Sequence, residues 1–244
     1  MKIHIHILLL TITFFIVGCF STENNNHLKI LDKFNLDIPE PSGLAISNDK
    51  KSLWTVSDNN STVYQIDLKG IILQSFTVDA IDLEGIAIIN DTLLCVISER
   101  SGEIIFVTTK GKEINRHVLD FSISPNNGLE GLAFDQMNKR YFVANEKNPR
   151  LLIELDSNLI VIKKTEIDFV DDVSGLDYDE IKNKLWLISD ESKTVAKCTH
   201  EGILQTKYQV PIKQIEGIAV DSQSKKTYLV SDHEEKLYIL QMDK

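Results

Sequence analysis

"DLEGIAII", residues 82–89, sets a glutamate, a glycine and a small alanine at the head of an otherwise apolar run. The string returns as "GLEGLAFD" (128–135) and "QIEGIAVD" (214–221), with looser copies "EPSGLAIS" (40–47) and "DVSGLDYD" (172–179). The shared glycines Gly43, Gly85, Gly131, Gly175 and Gly217 are spaced by 42, 46, 44 and 42 residues. A fixed period in the range of roughly 20 to 50 residues marks a repeat architecture.

Three more markers follow each glycine in phase. The second is a β-branched or aromatic run ending in an acid: "LWTVSD" (53–58), "LCVISE" (94–99), "YFVANE" (141–146), "LWLISD" (185–190) and "TYLVSD" (227–232). The third is an alternating run such as "TVYQID" (62–67) or "KLYILQ" (236–241), and the fourth an apolar run such as "IILQSFTV" (71–78). Polar stretches such as "NNS" and "LKG" separate them and read as turns. Four short strands per repeat predict an all-β, five-bladed β-propeller of four-stranded antiparallel blades. The fifth repeat stops after its third strand, which would leave an open edge. The segment "HLKILDKFNLDI" (27–38) is one strand long, and it is expected to complete the last blade and close the ring.

Successive strands of a blade run up and down. The position before each glycine and the acid ending each second strand therefore reach the same face, near the axis. The leading positions are Ser42, Glu84, Glu130, Ser174 and Glu216; the exit acids are Asp58, Glu99, Glu146, Asp190 and Asp232. Eight carboxylates around one mouth repel each other. Hard oxygen donors of this kind suit Ca²⁺, so Glu84, Glu130 and Glu216 are the expected metal ligands, with the exit acids as possible additions. The exit acids have a second reading, as acceptors for backbone amides of their own turns. Glycine and alanine after the leading position fit the crowded hub. Asp177 breaks the alanine pattern (Ala45, Ala87, Ala133, Ala219) and either adds a ligand or bonds a neighbouring loop.

The chain begins with Met1-Lys2, a mostly apolar run from Ile3 to Val17, and "IVGC" ending at Cys19. This reads as a lipoprotein signal over 1–18, with lipid on Cys19 tethering the chain to a membrane without spanning it. The run is shorter than the ~20 residues a spanning helix needs. Residues 19–27 form a polar tether, and 28–244 form the propeller domain. Without residues 1–18 the chain keeps 25 basic and 36 acidic residues, net −11, which excludes a basic nucleic-acid footprint. Cys95 and Cys198 fall in separate predicted strands and read as buried free thiols, although an oxidising compartment would permit a disulfide.

The "IVGC" end, the "SGLA" and "EGIA/EGLA" heads and the "VSD" strand ends resemble the SdiA-regulated family, a relative of the NHL-repeat proteins, over about residues 28–244. The resemblance implies a five-bladed propeller on a membrane-tethered chain, and a calcium ion. The expected role is a monomeric, extracytoplasmic binding module of the bacterial cell envelope, with a protein or small molecule at the mouth. The alternative is a calcium-dependent hydrolase of the lactonase or phytase kind, which needs a metal beside a base or bound water. Only His233, beside Asp232, is predicted near the mouth, and Arg100, Lys147 and Arg150 are the cations available there for phosphate. Whether the chain is an enzyme stays open at this level.

Overall fold

The computed structural model describes residues 28–119 and 128–242. The expected signal segment (1–18), Cys19 and the tether lie outside the described residues. Strand β1 spans Lys29–Asn35. Blade 1 follows as β2 (Pro41–Ile46), β3 (Ser52–Ser57), β4 (Thr62–Asp67) and β5 (Ile72–Thr77). Blade 2 is β6 (Leu83–Asn90), β7 (Leu93–Ser98), β8 (Glu103–Thr108) and β9 (Glu113–Val118). Blade 3 is β10 (Leu129–Asp135), β11 (Arg140–Asn145), β12 (Leu151–Leu155) and β13 (Val161–Glu166). Blade 4 is β14 (Gly175–Asp179), β15 (Lys184–Ser189), β16 (Thr194–Cys198) and β17 (Leu204–Gln209). Blade 5 is β18 (Ile215–Asp221), β19 (Lys226–Ser231) and β20 (Lys236–Gln241), completed by β1.

The predicted closure is present. β1 pairs antiparallel with β20, from Lys29 opposite Gln241 to Asn35 opposite Lys236. The outermost strand of the last blade thus comes from the other end of the domain, which removes the open edge. The core confirms a ring. Apolar side chains collect in five clusters, each between two neighbouring blades. Five stacked sheets in a row would have only four such interfaces. The fifth joins Ala219, Tyr228 and Leu237 of blade 5 to Leu44, Leu53 and Ile66 of blade 1.

Burial grades outward as the strand types predict. The inner strand β2 is buried at every position, whereas the outer strand β5 alternates exposed and half-buried. The five glycines line the waist of the channel. At Gly131 a Cβ would lie 2.7 Å from Leu176 Cγ, and at Gly43, where φ is +49°, 2.3 Å from the carbonyl oxygen of Glu84. No larger residue fits either place without moving the next blade. Cys95 and Cys198 are buried free thiols. Each donates weakly to a carbonyl, that of Ala87 and that of Leu185, at 3.7 Å.

The pairing register defines two faces. Pro41, Ser57, Thr62 and Thr77 lie at one end of blade 1, the upper end; Ile46, Leu53, Ile66 and Ile72 lie at the other. The leading positions head the inner strands, so they sit on the upper face. The turns joining first to second and third to fourth strands form the lower face.

Candidate metal centre at the upper mouth

Each blade delivers its leading residue just above the glycine waist. There Ser42, Asp58, Glu84, Glu130, Glu146, Ser174, Asp190, Glu216 and Asp232 line one cavity of about 290 Å³. The expected ring therefore assembles. Glu99 does not line this cavity: its carboxylate accepts from the Gly128 amide, and the charges of Asp82 and Glu146 act on it from nearby.

The two serines that interrupt the ring of glutamates are buried. Ser42 Oγ donates to Glu84 Oε2 at 2.6 Å, and Ser174 Oγ donates to the Ile215 carbonyl at 2.6 Å. Each serine ties its blade to a neighbour, which a glutamate there would not do without bringing in another charge. Glu84 is buried. Burial, opposed by the bond from Ser42, pushes its carboxyl up to about 8, and the charges of Asp58, Glu99 and Asp82 add to the rise. Glu130 and Glu216 are also held well above the carboxylate range, by burial first and then by Glu84 and the other mouth acids. The chemistry is that of like charges gathered where water is scarce.

The exit acids are not the turn anchors that one reading of the sequence allowed. The residue before each of them does that work. Ser57 Oγ donates to the Pro39 carbonyl and Ser231 Oγ to the Lys213 carbonyl, each at 2.6 Å, while the Asn60 and Glu234 amides donate back at 3.4 and 3.2 Å. In blade 2 Ser98 Oγ donates to the Ile81 carbonyl at 2.6 Å; in blade 4 Ser189 Oγ donates to the Asp172 carboxylate and accepts the Ser192 amide at 3.0 Å; and Asn145 takes this place in blade 3 through bonds to the Lys147 and Pro149 carbonyls. The acids are left to face the mouth. Asp58 is raised to about 7 by burial, by a hydrogen bond shared with Glu40 and by nearby acids. Its Oδ1 is buried without a hydrogen-bond partner among the described residues.

Three acids escaped the sequence reading. Glu40, Asp82 and Asp172 stand two residues before the leading positions of blades 1, 2 and 4, so the signal was a second in-phase offset. The carbonyls at this offset accept from the amides of exit acids: that of Asp82 from Glu99 and that of Gln214 from Asp232, both at 2.9 Å. The two sets of acids are therefore locked side by side. The result is a cluster of Asp58, Asp82 and Glu84 in which one carboxylate oxygen from each lies within 4.8 Å of the others. Asp172 is spent differently, accepting from Ser189 Oγ and the Glu191 amide.

Asp177 is not part of this mouth. It lies three residues beyond Ser174, about 10 Å along an extended strand, and opens into a separate cavity on the lower side. Its Oδ2 accepts from the Val220 amide of blade 5 at 2.6 Å, so it bonds the inner strand β18 of the next blade rather than a neighbouring loop. The cations near the mouth are already engaged. Arg100 pairs with Asp82 at 2.6 Å, and Lys147 pairs with Glu146 and Glu191 at 2.6 and 2.9 Å. Arg150 donates to the Ile167 and Asp171 carbonyls. His233 is exposed and does not line the cavity.

Many solved structures share the fold, three of them as follows. Glutaminyl cyclase of Myxococcus xanthus matches at a TM-score of 0.73 with 13% identity, over 88% of this chain and 96% of that one. A chain of a nidogen/laminin complex matches at 0.59 with 14% identity, over 78% and 72%. A luciferin-regenerating enzyme matches at 0.55 with 14% identity, over 88% and 94%. At these identities the likeness shows the propeller and nothing of its chemistry. The family is shown by the sequence itself: the SdiA-regulated description matches residues 23–240, and the chain belongs to that family.

Proposed function

We propose that the protein is a membrane-tethered, extracytoplasmic binding module whose upper mouth holds Ca²⁺. The observation that carries this reading is the gathering of more carboxylates than the groups around them neutralise. Glu84, Glu130 and Glu216 converge above the waist, and Asp58 keeps a buried oxygen without a partner. The donor set fits the ion: all hard oxygens, more than one carboxylate, and hydroxyls on two sides. Glu84 belongs both to the hub ring and to the cluster with Asp58 and Asp82, so it is the pivotal ligand. A bound divalent cation would supply the positive charge that offsets this repulsion, and an electrophilic point for an oxygen-bearing partner. The chain's own residues then set which partner fits: acids around the rim favour basic or polar groups and disfavour phosphates.

Calorimetric titration of Ca²⁺ into the wild-type protein and into Glu84→Gln/Glu130→Gln tests the site. No heat at millimolar calcium, or equal affinity in the two proteins, would overturn it. The tether is tested by fractionation: Cys19→Ser should move the protein from the membrane to the soluble fraction.

The hydrolase reading has one point in its favour, since a deep acidic funnel is what metal-assisted water activation needs. Against it, among the described residues no histidine lines the cavity, and Arg100 and Lys147 are already paired. Turnover of a lactone or phosphoester that chelator abolishes would favour it over the binding module.

A further inference from the structure

We propose that the lower face of the propeller rests on the lipid surface, so that the acidic mouth points away from the membrane. Single exposed apolar residues are ordinary; their confinement to one side is not. Of fifteen exposed large apolar side chains among the described residues, all but Ile81 and Val118 lie on the lower half. They recur because each outer strand begins at the lower rim. The residue leaving the third turn is Ile71 in blade 1, Ile160 in blade 3 and Ile203 in blade 4, each 63–64% exposed. Their amides bond back to Asp67, Asp156 and Thr199, so the tips are held outward by the turns rather than lying there loosely. Blade 2 has Lys112 at this position and exposes Ile114 just after it. Blade 5 exposes Ile30 and Leu31 on β1. Nearer the axis, Met137 and Ile181 project from first turns, 80% and 56% exposed.

Two further observations select lipid as the occupant. β1 enters from the lower face, where Lys29 stands opposite Gln241, so the segment carrying Cys19 joins the domain on this side. Eight residues lie between Cys19 and Leu28, a reach that keeps the lower face close to an anchored lipid. This part rests on the lipidation of Cys19. Charge orients the domain the same way. The acids of the upper mouth would be repelled by an anionic bilayer, whereas the lower turns intersperse their acids with Lys51, Lys69, Lys110, Lys112, Lys182 and Lys225. Apolar tips among lysines match the boundary between headgroups and acyl chains.

The test uses the full-length protein in vesicles of phosphatidylethanolamine and phosphatidylglycerol. A polarity-sensitive label is placed at Ile160→Cys, Ile203→Cys or Ile81→Cys, with brominated lipid as quencher; the native Cys95 and Cys198 are buried. Quenching several-fold stronger at 160 and 203 than at 81 is expected. A folded Ile71→Asp/Ile160→Asp/Ile203→Asp variant carrying the label at Met137→Cys should lose most of the quenching seen there in the unsubstituted ring. Equal quenching at all positions, or stronger quenching at 81, would overturn the orientation. So would protection of 160 and 203 without lipid that grows with protein concentration, which would assign the face to a second copy. If Cys19→Ser leaves fractionation unchanged, the anchor is wrong. Labels on that chain with added vesicles then decide the lower face on its own.

Discussion

The upper and lower openings of the channel are built by the same five inner strands, yet their acids are used in different ways. Below the waist, Asp177 is the single departure from a ring of alanines, and its carboxylate accepts from the Val220 amide. That acid staples blade 4 to blade 5. Above the waist the donors that do the structural work are serine hydroxyls: Ser42 and Ser174 join blades, and Ser57, Ser98, Ser189 and Ser231 hold turns. Some carboxylates take part as acceptors, Glu84 from Ser42 and Asp172 from Ser189, yet more of them gather here than those bonds require. An acid the backbone already uses explains itself, whereas an acid displaced from that use by a neighbouring serine needs another reason to be there.

The contrast can be broken first at the waist that separates the two openings. Gly43→Ala should cost roughly 3 kcal/mol or more in chemical denaturation, from the left-handed backbone and the approach to the Glu84 carbonyl together. Next, Glu84→Gln/Glu130→Gln should weaken calcium binding by about 100-fold, or ~2.7 kcal/mol, in the calorimeter. Asp177→Ala gives the converse result below the waist: a loss of about 1–2 kcal/mol from the orphaned Val220 amide, with calcium affinity unchanged.

Titration sharpens the same contrast. Folding raises the Glu84 carboxyl from 4.5 to about 8, so the native state binds its proton more tightly than the unfolded chain. Its contribution is fully present below 4.5 and is lost as pH rises through about 8. Asp58 behaves likewise between 3.8 and about 7. Metal-free protein should therefore lose thermal stability across this window, and calcium should restore it most at the alkaline end. A melting curve flat in pH without calcium would remove the case for a strained mouth. The smallest effect belongs to Arg100→Ala. It frees Asp82 from its surface pair and should tighten calcium only a few-fold.

Most of the architecture was legible because it is local and repeated. Strand runs, turns and small hub residues obey short-range rules, and five copies in phase report one another. The lone strand at 29–35 could be assigned to blade 5 because an unpaired edge is costly. The site was legible in part. The leading glutamates could be placed because alternating strand direction fixes which end of an inner strand meets the mouth. Glu40, Asp82 and Asp172 were hidden in the loops before the inner strands, where no periodicity says which way a side chain turns. Asp177 was ambiguous because its chemistry matches the mouth while its position along β14 does not.

What the sequence by itself determined is the five-fold ring, its closing strand and the face on which the leading acids gather. Each of these follows from spacing along the chain. Only the tertiary structure decided which acids meet: Asp58 of blade 1 with Asp82 and Glu84 of blade 2, and Asp177 on the far side of the waist. Those separations depend on how the twisted blades close around the axis, and serines from other blades and turns then decide which carboxylates the fold has already used.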